Sequence, residues 1–158
     1  MDNVLNLGGF DLDRALEVDP KFLEPEYPFE WSGLFEFVAG DYRLVLKPGP
    51  DPAMNLNFHT ASEASENAMR DTVEQSVLVF SDDEVPLQTG AVIEPGDQLS
   101  QINLEGDALE YVLRVPEAGN YVLFTEHHPD EFEAYVIDAQ GNRVDATYSR
   151  EYLSLIHI

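Results

Sequence analysis

Cysteine is absent from the 158 residues, so the chain has no disulfide framework, no thiol nucleophile and no thiolate metal site. Basic residues are scarce: eight Lys and Arg against 31 Asp and Glu leave a formal charge of −23. Such a surface repels nucleic-acid phosphates and anionic headgroups over a Debye length, which excludes DNA, RNA and membranes as partners. A cationic partner or metal ions would be attracted, and the simpler reading is that the charge keeps the chain soluble. No apolar run approaches the roughly 20 residues that cross a bilayer. Met1 to Gly9 carry no basic cluster ahead of an apolar stretch, so no secretory signal is read and the cytoplasm is the expected compartment. A Gly-x-x-x-x-Gly-Lys-Ser/Thr run is missing, and Gly8-Gly9 has neither the lysine nor the preceding strand of a phosphate loop. A nucleophile elbow and a His-Glu-x-x-His helix are missing too, so the chain by itself is not expected to be an enzyme.

What is present is the composition of a folded domain, with 44% hydrophobic residues in a length that suits one core and flanking tails. Asp11 is placed to cap a short helix over 12–18, which Asp19-Pro20 ends. The run Glu24-Pro25-Glu26-Tyr27-Pro28-Phe29-Glu30 should cross in extended form, so residues 1–30 read as a linker. From Trp31 the apolar period becomes two. Trp31, Phe35 and Phe37 share one parity, Gly40-Asp41 turns, and Tyr42, Leu44 and Leu46 share the next, which predicts a hairpin. The pattern returns as Tyr111, Leu113 and Val115, then Gly119-Asn120, then Tyr121 and Leu123. Six identities recur at one offset (118 − 39 = 79 positions): Ala39-Gly40, Tyr42, Leu44 and Pro50-Asp51 become Ala118-Gly119, Tyr121, Leu123 and Pro129-Asp130. A duplicated β unit and shared turn chemistry both account for this.

Further strands are predicted at 54–58, 76–80, 98–104, 132–138 and 143–148, with Gly141-Asn142 turning the last pair. A capping box, Thr60 with Glu63, predicts one helix to about Gln75 lying across one end of the sheets. The fold class expected is mainly β, an antiparallel β-sandwich over 31–150 with one short helix and an extended N-terminal linker. Residues 151–158 read as a non-native tail, because Leu153-Ser154-Leu155-Ile156-His157-Ile158 resembles translated sequencing-adapter sequence.

The constellation with ligand chemistry is Glu126-His127-His128-Pro129-Asp130-Glu131, where imidazoles and carboxylates suit Zn²⁺. In extended chain His127 and His128 point to opposite faces. His59 would be a third ligand if the fold joins the ends, so the candidate metal ligands are His127, His128, His59 and Glu126, with surface loop histidines as the plain alternative. Glu63, Glu66, Glu74 and Asp82-Asp83-Glu84 lack the spacing of a calcium loop and read as solvated faces. Trp31, Phe35 and Phe37 could form a carbohydrate platform, but their alternation reads as core.

Two regions carry a family resemblance. Val4-Leu5-Asn6-Leu7-Gly8-Gly9-Phe10-Asp11-Leu12-Asp13-Arg14-Ala15-Leu16 resembles the segment that leaves the GTPase domain in CobW-type metallochaperones. Glu26-Tyr27-Pro28-Phe29-Glu30-Trp31-Ser32-Gly33 and Pro48-Gly49-Pro50-Asp51-Pro52-Ala53-Met54 resemble a β domain inserted after it in some members. The resemblance implies a P-loop GTPase before Met1, where GTP and Mg would bind, and a small α/β domain after the present end. It also implies a setting of metal homeostasis, with zinc or cobalamin biosynthesis as the context and a metal-client protein as a partner. The family's nucleotide loop and Cys-x-Cys-Cys metal site match no positions here, so no catalytic or cofactor-binding residue carries over. The leading expectation is a non-catalytic accessory sandwich between those domains. The alternatives are a free-standing acidic module for a sugar or cationic peptide, and a metal-binding protein built on His59, His127 and His128.

Overall fold

The computed structural model describes residues 26–152, together with the two-residue stretches Leu5–Asn6 and Gly9–Phe10. The expected helix over 12–18 and the stretch 153–158 lie outside the described residues. The chain is mainly β; Leu5–Asn6 and Gly9–Phe10 pair with each other, and the remaining strands form two facing sheets. In chain order they are β1 (Trp31–Phe37), β2 (Gly40–Leu46), β3 (Ala53–Ala61), β4 (Val85–Leu87), β5 (Val92–Ile93), β6 (Ser100–Asn103), β7 (Leu109–Val115), β8 (Gly119–Thr125), β9 (Tyr135–Ile137), β10 (Arg143–Val144) and β11 (Tyr148–Glu151). Six form one sheet in the order β11-β1-β8-β3-β6-β4, and five form the other in the order β10-β9-β2-β7-β5. Within these two sheets pairing is antiparallel except at two edges, where β4 lies parallel to β6 and β5 parallel to β7.

Period-two patterning does what it predicts in the five-stranded sheet. Tyr42, Leu44 and Leu46 on β2, and Leu109, Tyr111, Leu113 and Val115 on β7, are all buried against the inner face of the other sheet. The six-stranded sheet is apolar on both faces at its centre. On β8, Tyr121 and Leu123 point to the inter-sheet core while Val122 and Phe124 join Phe29, Leu34, Met69 and Val73 in a second cluster on the outer face. That outer face is roofed by α1 (Glu66–Asp71) and α2 (Val73–Val79). Val122, Phe124 and Phe29 are fully buried, each favourable by about 1.5–3 kcal/mol relative to exposure. The helical segment therefore covers a sheet face rather than one end of the sheets, because a strand with two apolar parities needs cover on both sides.

Several expected elements differ. Thr60 is no helix cap: it lies in β3 opposite Tyr121, and Ser65 caps α1 by accepting from the Ala68 backbone N at 3.0 Å. Residues 76–80 were expected as a strand, but most of that stretch is the second half of a helical pair, with Val73, Ser76 and Val79 on the buried side. The 132–138 stretch shortens to β9, because Pro129–Phe132 winds into a single 3₁₀ turn. The 143–148 stretch divides between the sheets, β10 in one and β11 in the other. The turn at Gly141-Asn142 does form, with Gly141 at φ +87° and the Asp138 backbone N donating to Asn142 O at 2.8 Å.

The two expected hairpins are the largest correction. β1 and β2 do not pair with each other; Val38-Ala39 carries the chain from one sheet to the other, and the β7–β8 connection does the same in reverse. Each strand instead pairs with one from the other copy, Phe35 opposite Tyr121 and Tyr42 opposite Leu113. The rings of Phe37 and Tyr42 stack across the first connection at 4.0 Å. Both connections are latched by a tyrosine bonded four residues back: the Val38 backbone N donates to Tyr42 Oη at 2.9 Å, and Tyr121 Oη donates to Glu117 O at 2.6 Å. Such tyrosine corners recur in β-sandwiches. The repeat seen in the sequence thus corresponds to two equivalent arches that interlock.

Packing reaches past the expected bounds of 31 and 150. Phe29 and Glu30 are buried, and Tyr152 Oη meets Ser32 Oγ at 2.7 Å while its ring packs edge-on against Phe29. Among the described residues no helix is long and apolar enough to cross a membrane.

Candidate metal centre

At the end of the sandwich opposite the two arches, the chain leaving β8 meets the loop between β2 and β3. Thr125 starts the arrangement, donating through Oγ1 to His127 O at 2.7 Å, a buried bond that fixes the backbone at the histidine. The Glu126 backbone N bonds Asn55 O at 2.9 Å, and Asn55 N donates to Glu126 Oε1 at 2.9 Å, so Glu126 is tied to β3. His127 then turns inward beside Phe132, the fully buried ring that closes this end of the core. The facing loop is held close by the Lys47 backbone N, which donates to Phe132 O at 2.7 Å. Gly49 makes that approach feasible: a Cβ there would lie 2.4 Å from Phe132 Cδ1 and 3.0 Å from the Glu131 carbonyl oxygen.

His127 is 9% exposed. Its Nε2 is 3.4 Å from Asp51 Oδ2 and 3.9 Å from Glu126 Oε1, and its Nδ1 is 3.9 Å from Glu30 Oε2. Asp51, His127 and Glu131 each offer a ligand atom, all within 4.8 Å of one another. Among the described residues no lysine or arginine pairs with Asp51, Glu126 or Glu131. One imidazole among carboxylates in a half-buried niche is a donor set able to hold a divalent cation.

The other sequence-predicted ligands are placed elsewhere. His128 points away from His127, as adjacent residues in extended chain do. Its Nδ1 accepts from the Asp130 backbone N at 3.2 Å, capping the 3₁₀ turn, and its Nε2 lies 3.1 Å from Glu151 Oε2. An accepting Nδ1 puts the proton on Nε2 in the neutral ring. His59 sits on β3 opposite Val122, with Nδ1 3.0 Å from Thr60 O and Nε2 3.2 Å from Asp97 Oδ1. The three histidines therefore do not converge on one ion. Glu126 stands beside His127 but outside the triad. Glu131 lay in the 126–131 run read as carrying ligand chemistry but not in the candidate ligand set, and the sequence reading missed Asp51; the available signal for Asp51 was the paired Pro50-Asp51 and Pro129-Asp130 motifs, which mark equivalent loops.

A second concavity of about 170 Å³ opens between the sheets on the far side of the same turn, with Trp31, His128, Tyr135 and Arg143 among its walls. Phe35 and Phe37 are core, whereas Trp31 is half-buried with its indole lying over Gly33, where a Cβ would come within 2.3 Å. The guanidinium of Arg143 stacks 4.1 Å above the Tyr135 ring. Compared with known proteins, the chain matches no family model, no curated protein sequence and no solved structure.

Proposed function

We propose that this chain is a non-catalytic accessory β-sandwich of a CobW-type GTP-binding metallochaperone, seated in the cytoplasm between the GTPase and C-terminal domains and tuning metal delivery or client docking. The observation that supports this is the convergence of the resembling segments. Residues 26–33 and 48–54 are separate in sequence, yet the first supplies Glu30 and the second Asp51 to the same imidazole, that of His127. Such a meeting of carboxylates and an imidazole suits a module that serves a metal carrier. GTP and its Mg²⁺ belong, on this reading, to the neighbouring domain.

The test is to read the DNA on both sides of this reading frame and to assay the chain for GTP turnover. An in-frame Gly-x-x-x-x-Gly-Lys-Ser/Thr upstream, with no turnover by the chain itself, supports the proposal. A promoter directly before Met1 overturns it. The cleft beside Trp31 favours a second reading, a free-standing module for a small ligand. Its volume is well under the roughly 300 Å³ at which ligand pockets usually begin. A shift in the fluorescence of the single tryptophan on sugar addition would favour that reading.

A further inference from the structure

We infer that Asp51, His127 and Glu131 form a site for a divalent transition-metal ion of the zinc class. Two ligands held about 2.0–2.1 Å from a tetrahedral ion stand about 3.3–3.4 Å apart. Asp51 Oδ2 and His127 Nε2 are 3.4 Å apart. A direct charge-assisted hydrogen bond would close to about 2.7–2.9 Å, so this pair is spaced for an ion between its members. The His127 ring is nine-tenths buried and makes no hydrogen bond among the described residues, although three carboxylates face it at 3.4–3.9 Å. Its orientation is set by its neighbours, through the Thr125 bond to its carbonyl and the ring of Phe132.

Half-buried Asp51 and exposed Glu131 can each move by the ångström or so that contracts a 4.8 Å cluster to bonding distance. Glu126, held by Asn55, adds negative charge beside the ion without needing to bind it. One imidazole and two carboxylates leave a fourth position open, which suits Zn²⁺ or Co²⁺. Ca²⁺, which takes six to eight oxygens, is poorly served. The ion would clamp the loop around Asp51 to the 3₁₀ turn, two segments already joined by the Lys47–Phe132 bond. The site is built from this chain's own side chains and stands whether or not a GTPase flanks it.

Calorimetric titration of the metal-free chain with Zn²⁺, and visible absorption after adding Co²⁺, test the site. The expected result is one saturable site, with Asp51→Asn and Glu131→Gln each weakening Zn²⁺ binding by about tenfold or more. His59→Ala and Asp82→Asn should leave it unchanged. Binding that persists in both carboxylate variants, binding that follows His59, or no saturable binding at all would overturn the inference. His127→Gln should abolish binding; because that ring is buried, the two surface carboxylate variants carry the decision if it does not fold.

Discussion

Replacing Gly49 by alanine should destabilise the chain through a single collision. The new methyl carbon would stand 2.4 and 2.5 Å from Cδ1 and Cε1 of Phe132, and 3.0 Å from the Glu131 carbonyl oxygen. Ordinary carbon contacts begin near 3.5 Å, so the ring must retreat by about 1 Å. It has no room to do so, being fully buried within the inter-sheet core, and the carbonyl is backbone in a turn bonded to Lys47. Overpacking of this kind costs about 1–3 kcal/mol, and the two-sided contact argues for the upper half of that range. With a urea slope of about 2 kcal/mol per molar, the midpoint falls by roughly 1 M. Phe132→Val deletes both offending ring atoms, at a cost of its own. In that background Gly49→Ala should lose most of its effect, giving a coupling of about 1–2 kcal/mol in a double-mutant cycle followed by circular dichroism. An unchanged midpoint for Gly49→Ala alone, or strictly additive losses, would refute the reasoning.

Asn57 is buried on β3, donates from Nδ2 to Gly96 O at 2.8 Å and to Gln98 O at 3.2 Å, and accepts from Ser76 Oγ at 3.2 Å. It therefore ties α2 and the 96–98 loop to the sheet, and Asn57→Leu should cost about 2–4 kcal/mol in urea unfolding by leaving those groups unpaired; a loss below about 1 kcal/mol would show that water replaces the amide. Burial pushes the phenol pKa values of Tyr152 and Tyr111 above the ordinary tyrosine value. The folded state thus holds these protons more tightly than the unfolded chain, so their contribution is complete below about pH 10 and is lost as pH rises through the folded values. Stability measured from pH 8 to 12 should fall in that window, and Tyr152→Phe should make the fall shallower; an identical slope in the variant would contradict this.

Much of the sandwich was legible along the chain. The inward positions of β2 and β7 follow from strict alternation, whereas the identities recurring at an offset of 79 left both a duplicated unit and shared turn chemistry open until the two arches were seen. The hairpins were not legible, because a strand pair joined within one sheet and one that arches between sheets present the same parity around the same short connection. At 76–80 the β-branched and aromatic run favoured a strand. Only the apolar outer face of β8 explains why it winds as a helix with Val73, Ser76 and Val79 turned inward and Leu78 left 69% exposed. The candidate site divides in the same way. His127 stood out by type, Glu131 lay in the same 126–131 run, and the separation of His127 from His128 followed from backbone geometry, but Asp51 was one among 31 acidic residues.

By itself, the sequence determined the core-facing side of β2, β7 and β8, the turn at Gly141-Asn142 and the strongly negative charge, because these depend on residues within a few positions of one another. The turns expected at Gly40-Asp41 and Gly119-Asn120 lie instead inside the first residues of β2 and β8. The tertiary structure alone decided which strands pair, which sheet face the helices roof and which carboxylates surround His127. Those outcomes depend on contacts between segments tens of residues apart, where pairing is chosen by mutual packing and no local period records it.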